Sequence, residues 1–303
     1  MNYIYPKLSD KDLNFMRLGG AGLGNILFTY ARAFVFSKKS GIPLIWPTWF
    51  SFKLGTILRN EQDKRFYNDL FKNNSGYIDG LKKAWFRLTK SKVAEKDRNN
   101  YKNFDNKIIE FTGFDGCFEE ILYDSKIIYE DLVKNLMEKN KKPLDYDFTS
   151  SISFHIRLGD FNRAVIDDVR NGLHNSSLPI MWYVSMLEQI RGALGYEIKA
   201  YIFSDGTEQE LNPILSLPNV ERITFGTSIA DILALSKAKL LVASGSSFSM
   251  WARYLGRMNT ICFENQIKQR ILTEKDDTFE IEVNDIIATE YLEKIKFCFK
   301  GLS

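Results

Sequence analysis

Between residues 151 and 263 short apolar runs alternate with helix-length amphipathic segments, and this alternation constrains the fold more than any other feature of the chain. Apolar or alternating runs at 151–157, 198–203, 220–225, 240–243 and 260–263 read as strands. Segments at 179–194, 208–215, 229–236 and 248–255 between them read as helices. Strands spaced by helices of this length predict an α/β unit with a parallel sheet covered on both faces. Such sheets bind ligands outside the carboxyl ends of their strands, so chemistry is expected where each run stops.

Three of these ends carry suitable residues. In SISFHIRLGDF, Ile152, Phe154 and Ile156 alternate with Ser153, His155 and Arg157, and Asp160 follows Gly159. A forked, permanently charged guanidinium suits a phosphate, and glycine permits a tight turn or a close approach. The same residues also describe an ordinary strand end closed by an Arg–Asp pair. Asp205 ends the next strand, either as an acceptor for a sugar hydroxyl or as a turn residue before Gly206. After Ala243, the residues Ser244, Gly245, Ser246, Ser247, Phe248 and Ser249 surround a helix start. Free N–H groups and hydroxyls there suit a phosphate, although one serine suffices for an N-cap. Asp231, three residues after Ser228, has capping-box spacing; its functional alternative is an acceptor for a purine edge.

The N-terminal half is less regular. A short strand at 15–18 runs into four glycines, and a helix opening at Asn25 would place Ile26, Leu27, Tyr30, Ala31 and Phe34 on one face. Strand, glycine turn and helix form a phosphate cradle, but the dinucleotide fingerprint is not met: the third glycine would fall at Asn25, and no acid follows the strand expected at 43–46. A strand is expected at 108–112 and an amphipathic helix at 118–137. Segment 138–149, polar and containing Pro143, reads as a linker, giving an N-terminal α/β domain, 1–143, and a C-terminal α/β domain, 144–303. The tail, 266–303, is expected to hold a helix, a strand at 279–283 and a last helix at 289–299. Between Lys82 and Lys107 lie seven Lys and two Arg against three acids, with Trp85 and Phe86 among them. Such a run is usually a solvated face, the alternative being a docking patch for an anionic glycan or membrane surface.

Composition removes several classes. A formal charge of +3 over 303 residues does not describe a nucleic-acid binder. Cys117, Cys262 and Cys298 have no metal spacing, and with His155 and His174 as the only histidines a three-imidazole site is excluded. No metal site is expected. No run of 18 apolar residues and no signal-peptide core occurs, so a cytoplasmic location without a transmembrane segment is expected, with peripheral contact at the inner face of a membrane left open. Oligomeric state has no signature. Asp145-Tyr146-Asp147 has the D-x-D form of cation sites but follows polar residues and no buried strand. Gly245-Ser246-Ser247-Phe248-Ser249 lacks the closing glycine of a hydrolase elbow, and no histidine follows it.

Taken in order, GGAGLGNILFTYARA, HIRLGD, FSDG and DILALSKAKLLVASGSSFSMWARYLG resemble the alpha-1,2-fucosyltransferases, family 11 of the glycosyltransferases. The resemblance implies a GT-B-like architecture of two Rossmann-like domains facing a cleft. It also implies metal-independent, inverting transfer of L-fucose from GDP-fucose to a glycan hydroxyl, with the 2-OH of galactose expected, and no cofactor. By this resemblance Arg157 matches an arginine on the donor pyrophosphate and His155 a histidine beside the nucleotide. Asp231 matches an acid meeting guanine, and Ser246, Ser247 and Phe248 match the loop at the phosphates. Gly22, Gly24 and Asn25 match the N-terminal glycine-asparagine motif. Asp205 is carried as a donor-side acceptor and Asp160 as the candidate acceptor base. The sequence departs from the family pattern at Leu158, usually a second arginine, at Ile26, usually Gln, at Gly206, usually Asp, and at Met250, usually Trp. Use of another nucleotide sugar, or binding without catalysis, are the alternatives.

Overall fold

The computed structural model describes residues 1–52, 65–159, 161, 166–174, 176–273 and 278–301. The chain divides into two compact units, Met1–Lys141 and Lys142–Ser303. Segment 138–149 contains two 3-10 turns, Glu138–Asn140 and Lys142–Asp145.

The first unit contains β1 (Tyr3–Pro6), β2 (Lys11–Asp12), β3 (Arg17–Leu18), α1 (Leu23–Ser40), β4 (Ser51–Phe52), α2 (Gly80–Thr89), β5 (Lys92–Ala94), β6 (Ile108–Phe111) and α3 (Ser125–Asn135). Parallel strands in the order β1-β6-β5 form one sheet, and β2-β3-β4 form a smaller mixed one. Helix α1 begins two residues before Asn25, because Gly22 in extended conformation is its N-cap; Gly41, in the left-handed region at φ 71°, closes it. The strand expected at 43–46 is reduced to single bridges, Ile4 with Leu44 and Ile45 with Ile78. The helix expected over 118–137 splits into a 3-10 turn, Glu119–Ile121, and α3, which stops where Leu136 turns away to pair with Phe71.

The second unit is the regular one. It contains β7 (Ser151–Ile156), α4 (Ile166–Arg170), α5 (Ile180–Leu194), β8 (Lys199–Ser204), α6 (Glu208–Leu215), β9 (Val220–Arg222), α7 (Ser228–Leu235), β10 (Leu240–Ala243), α8 (Ser247–Gly256), β11 (Asn259–Phe263), β12 (Glu280–Val283) and α9 (Thr289–Phe299). All six strands are parallel, in the order β12-β11-β10-β7-β8-β9. This is the doubly wound order 3-2-1-4-5-6 read from the other edge, with the direction of winding reversing between β7 and β10. On one face Ile152, Phe154 and Ile156 pack with Tyr183, Met186 and Leu187 of α5. On the other, Phe203, Leu241 and Ala243 pack with Ala234 of α7 and Ala252 of α8. Both faces are covered, so the polar positions of β7, Ser151, Ser153 and His155, are buried with the apolar ones.

Residues 266–273 form neither helix nor strand where the sequence suggests a helix. Their backbone donors are taken by two carboxylates of β12. Glu280 accepts from the N–H groups of Ile271 (2.6 Å) and Leu272 (2.9 Å), and Glu282 from that of Ile267 (2.7 Å). Glu280 also accepts from the guanidinium of Arg253 on α8 at 3.0 Å, both side chains being buried. Removing one partner of a buried pair strands the other charge in a low dielectric. Glu280→Ala is therefore expected to lower unfolding free energy by about 3–5 kcal/mol in urea titrations; a loss under about 1 kcal/mol would mean that the pair does not hold α8 to β12.

Candidate active site

The carboxyl ends of β7 and β10 lie side by side, since Ala243 pairs with His155 and the N–H of Ser244 donates to the His155 carbonyl at 3.1 Å. Backbone register thus brings the histidine-arginine strand end against the serine-rich helix start. The His155 ring is buried and packs on Phe248, ring centroids 4.7 Å apart and planes 13° from parallel. The hydroxyls of Ser249 and Ser244 lie 2.6 and 2.9 Å from its Nδ1. Ser244 also donates to Ser246 Oγ at 3.2 Å, and Ser246 is the N-cap of α8, accepting from the N–H of Ser249.

The serine turn is consequently not an open cradle. Ser246 performs the capping, while Ser244 and Ser249 hold the imidazole. Half-buried Ser247 and Phe248 open the helix, where the first-turn N–H groups have no intrahelical acceptor. Gly245 is required by packing: a Cβ there would sit 2.3 Å from Oε1 of Gln266. Gln266 is itself buried and donates to the carbonyls of Val169 and Leu173, both at 3.3 Å. It joins the helix start to the segment after α4.

Arg157 continues β7. Its Nη1 lies 2.6 Å from Asp205 Oδ2, while Asp205 Oδ1 accepts from the N–H of Leu158 at 2.9 Å. The Arg157 guanidinium also lies 5.4 Å from the centre of the Phe161 ring. Asp205 therefore fixes the arginine and the backbone after it, a role that neither the sugar-acceptor nor the turn interpretation contained. The contact leaves no room for a side chain at Gly159, whose Cβ would lie 2.4 Å from Asp205 Oδ2. Leu158 and Gly206, two of the departures from the fucosyltransferase pattern, are neighbours: a Cβ on Gly206 would fall 2.5 Å from Leu158 Cδ1. The Leu158 side chain occupies the space that an acid at 206 would need.

Asp231 lies in the first turn of α7 and accepts from the N–H of Phe225 (2.6 Å) and the hydroxyl of Thr224 (3.0 Å). It ties back its own preceding loop, so the Ser228–Asp231 capping box does not form; Thr227 is the N-cap. Burial raises its carboxyl to about 6 against those two hydrogen bonds. Gly22, Gly24 and Asn25 belong to the first unit, at the start of α1, where the N–H of Leu23 donates to the Tyr67 hydroxyl at 3.0 Å. Asp160 lies outside the described residues. Among the described residues no group of three His, Cys, Asp or Glu side chains is placed to hold a metal ion. Asp147 accepts from the N–H and hydroxyl of Thr149, a local turn. A depression of about 420 Å³ in the first unit, lined by Tyr77, Asp131, Lys38 and Lys134 among others, contains none of the candidate residues.

Of Ser244, Ser249 and Gln266, sequence reasoning takes the first two only as hydroxyls suited to a phosphate and gives the third no role. The first two were visible as hydroxyls near a helix start, but their attachment to His155 depends on β7 and β10 being neighbours. Nothing local marks Gln266.

Burial, and then the Arg157 cation, push His155 down to about 3 from the usual 6.5. A folded value below the unfolded one means that, between these limits, the unfolded chain binds a proton which the fold refuses. Stability contributed by the neutral ring is complete above about 6.5 and is lost as pH falls towards 3, by up to about 1.4 kcal/mol per pH unit. NMR of the imidazole carbons is expected to show no titration of His155 between about pH 5 and 8, and His155→Gln should flatten the acid limb of the stability curve. Titration near 6.5 would contradict the buried neutral ring.

The model of glycosyl transferase family 11 matches residues 85–287. Among solved structures, fucosyltransferase NodZ from Bradyrhizobium aligns with a TM-score of 0.51 at 15% identity, covering 86% of this chain and 94% of that one. NodZ alpha-1,6-fucosyltransferase soaked with GDP-fucose gives 0.52 at 13% identity, over 86% and 94%. A mutant of Arabidopsis thaliana FUT1 in complex with GDP gives 0.51 at 12%, over 87% and 70%. At these identities the likeness speaks for the fold, an α/β, GT-B-like one. No curated protein sequence matches the chain.

Proposed function

Because this chain belongs to glycosyl transferase family 11, we propose that it transfers L-fucose from GDP-fucose to a hydroxyl of a glycan, the 2-OH of a terminal galactose being the first acceptor to test. The single observation that carries the donor side is the register of β7 with β10, which brings the His155–Arg157 strand end to the start of α8 at the point where the sheet reverses its winding.

Cleavage of the sugar–phosphate bond leaves negative charge on the departing diphosphate and positive charge on the sugar. A preorganised guanidinium and the first-turn N–H groups of Ser247 and Phe248 would stabilise the former. His155, neutral and stacked on Phe248, adds no competing cation and forms a wall of the nucleotide site. Ser246 shapes the phosphate loop as its cap. Asp205 acts as a positioning residue for Arg157. Asp231 is proposed to accept from the guanine edge through lone pairs that Thr224 and Phe225 do not use. Gly22, Gly24, Asn25 and, as acceptor base, Asp160 are assigned by resemblance. Leu158 in place of a second arginine favours one further interpretation, a GT-B transferase using another nucleotide sugar.

Purified protein, GDP-fucose and galactose-terminated oligosaccharides, with product linkage read by NMR, test the assignment. Arg157→Ala is expected to retain the wild-type circular dichroism spectrum and lose about a hundredfold or more in turnover, since removing one preorganised donor costs about 3–4 kcal/mol of transition-state stabilisation. Turnover within a few-fold of wild type would remove Arg157 from this role. A product linked elsewhere than at the galactose 2-OH would correct the acceptor and leave the donor assignment standing.

A further inference from the structure

Helix α2 carries its polarity inside out. At about 100° per residue, Leu81, Trp85 and Leu88 fall within roughly 60° of one another, while Lys83, Phe86 and Arg87 occupy the opposite side. The structure turns the cations inward. Lys83 and Arg87 are buried, whereas Leu81, Trp85 and Leu88 are 84, 65 and 78% exposed.

The rotation of the helix is fixed by what the cations touch. Lys83 Nζ donates to the hydroxyl of Thr48 at 2.9 Å. Arg87 Nη1 donates to Asp12 at 2.8 Å and to Asn14 at 2.6 Å, and its guanidinium lies 4.3 Å from the centre of the Tyr5 ring. Phe86 packs on Tyr3 at 4.5 Å. Burial pulls the Lys83 ammonium down to about 8, a measure of how far it is removed from water. Turning α2 over to hide its leucines would take the buried Asp12 away from its arginine and break every one of these contacts, so the apolar stripe has to face outward.

The sequence around that stripe is basic. Lys82 on α2 and Lys92 on β5 are exposed, Lys92 lying 3.7 Å from Glu110, within a stretch that holds nine Lys and Arg against three acids in a chain of net charge +3. Two of the acids are already paired, Glu95 with Arg32 and Asp105 with the N-terminal amine, each at 2.8 Å.

We propose that the outer face of α2 docks on an anionic lipid bilayer, with Leu81, Trp85 and Leu88 entering the interface between headgroups and acyl chains while Lys82 and the basic residues that follow the helix meet the headgroup charge. Charge complementarity selects this occupant. A second copy pressing the same face would bring like charges together. An acidic glycan would satisfy the lysines but offers no apolar phase for two leucines and an indole. An apolar stripe with a tryptophan, next to Lys82 in a basic stretch, matches the chemistry of an interfacial helix. No helix among the described residues is long and apolar enough to cross a membrane, so the attachment is to one surface. The inference is independent of the donor assignment.

Trp85 supplies its own probe, because the other four tryptophans, Trp46, Trp49, Trp182 and Trp251, are buried. The full chain is mixed with phosphatidylcholine vesicles, with or without about one-third phosphatidylglycerol, and followed by flotation and tryptophan emission. Binding to the anionic vesicles, a blue shift that disappears in Trp85→Phe, and release as salt rises from about 0.1 to 0.5 M are expected. The variant Leu81→Ser/Trp85→Ser/Leu88→Ser should keep the wild-type melting temperature and lose about tenfold or more in vesicle affinity. Equal binding to neutral vesicles, no binding to either, or unchanged affinity of the triple variant would overturn the proposal. A wild-type dimer that the triple variant dissolves would overturn it in favour of a second copy, and capture by acidic polysaccharide without vesicle binding would overturn it in favour of a glycan.

Discussion

The parallel pairing of β7 with β8 on one side and β10 on the other is the constraint from which the candidate site follows. From β7 the chain winds outward through β8 and β9, returns, and winds the opposite way through β10, β11 and β12. The connections after β7 and β10 therefore diverge, and a crevice opens where two adjacent strands end. His155 and Arg157 stand on one side of it, and Ser244 to Ser249 on the other. Ser244 and Ser249 hold His155 across this crevice, while Asp205 at the end of β8 holds Arg157 from the other side.

Polar groups in the crevice divide into those that hold and those left to act. Ser244 and Ser249 hold the imidazole, Ser246 caps α8, and Asp205 holds Arg157 and the N–H of Leu158. With His155 neutral, Arg157 is the one cation at the end of β7 among the described residues, and the dipole of the neighbouring α8 also favours an anion. Leu158 and Gly206 fit each other: a Cβ at 206 would lie 2.5 Å from Leu158 Cδ1. The first unit resolves buried charge in another way, drawing Lys83 and Arg87 inward onto Asp12, Thr48 and Tyr5 and thereby turning apolar side chains of α2 to the outside.

How much of this can be read from sequence depends on whether the determining contact is local. The runs LLVA and SISFHI can be read as strands because a sheet covered on both faces demands apolar residues in sequence. Helices α5, α6, α8 and α9 follow from apolar spacing and from caps such as Thr207 with Glu210. Segments 43–46 and 266–273 cannot be read in this way. The first makes single bridges to strands distant in sequence, and the second has its backbone donors taken by Glu280 and Glu282. At the site, residue types and their order were legible in HIRLGD, FSDG and SGSSFS. The engagement of Asp205 with Arg157, of Ser249 with His155, and of Gln266 against Gly245 was not, since each spans tens of residues. Likewise the basic stretch containing α2 suggests a solvated face until the burial of Lys83 and Arg87 is seen.

The ends of β7 and β10 are proposed to form a guanosine-diphosphate site. Thermal stabilisation of the purified protein by GDP, UDP, CMP and NAD, each in EDTA, tests it most directly, because a ligand bound by the native state alone raises stability as RT ln(1 + [L]/Kd). The account requires selective stabilisation by GDP, abolished in Arg157→Ala. Preference for UDP or CMP would leave the transferase fold and remove fucose from it, and indifference to all four nucleotides would contradict the assignment of the crevice as a donor site.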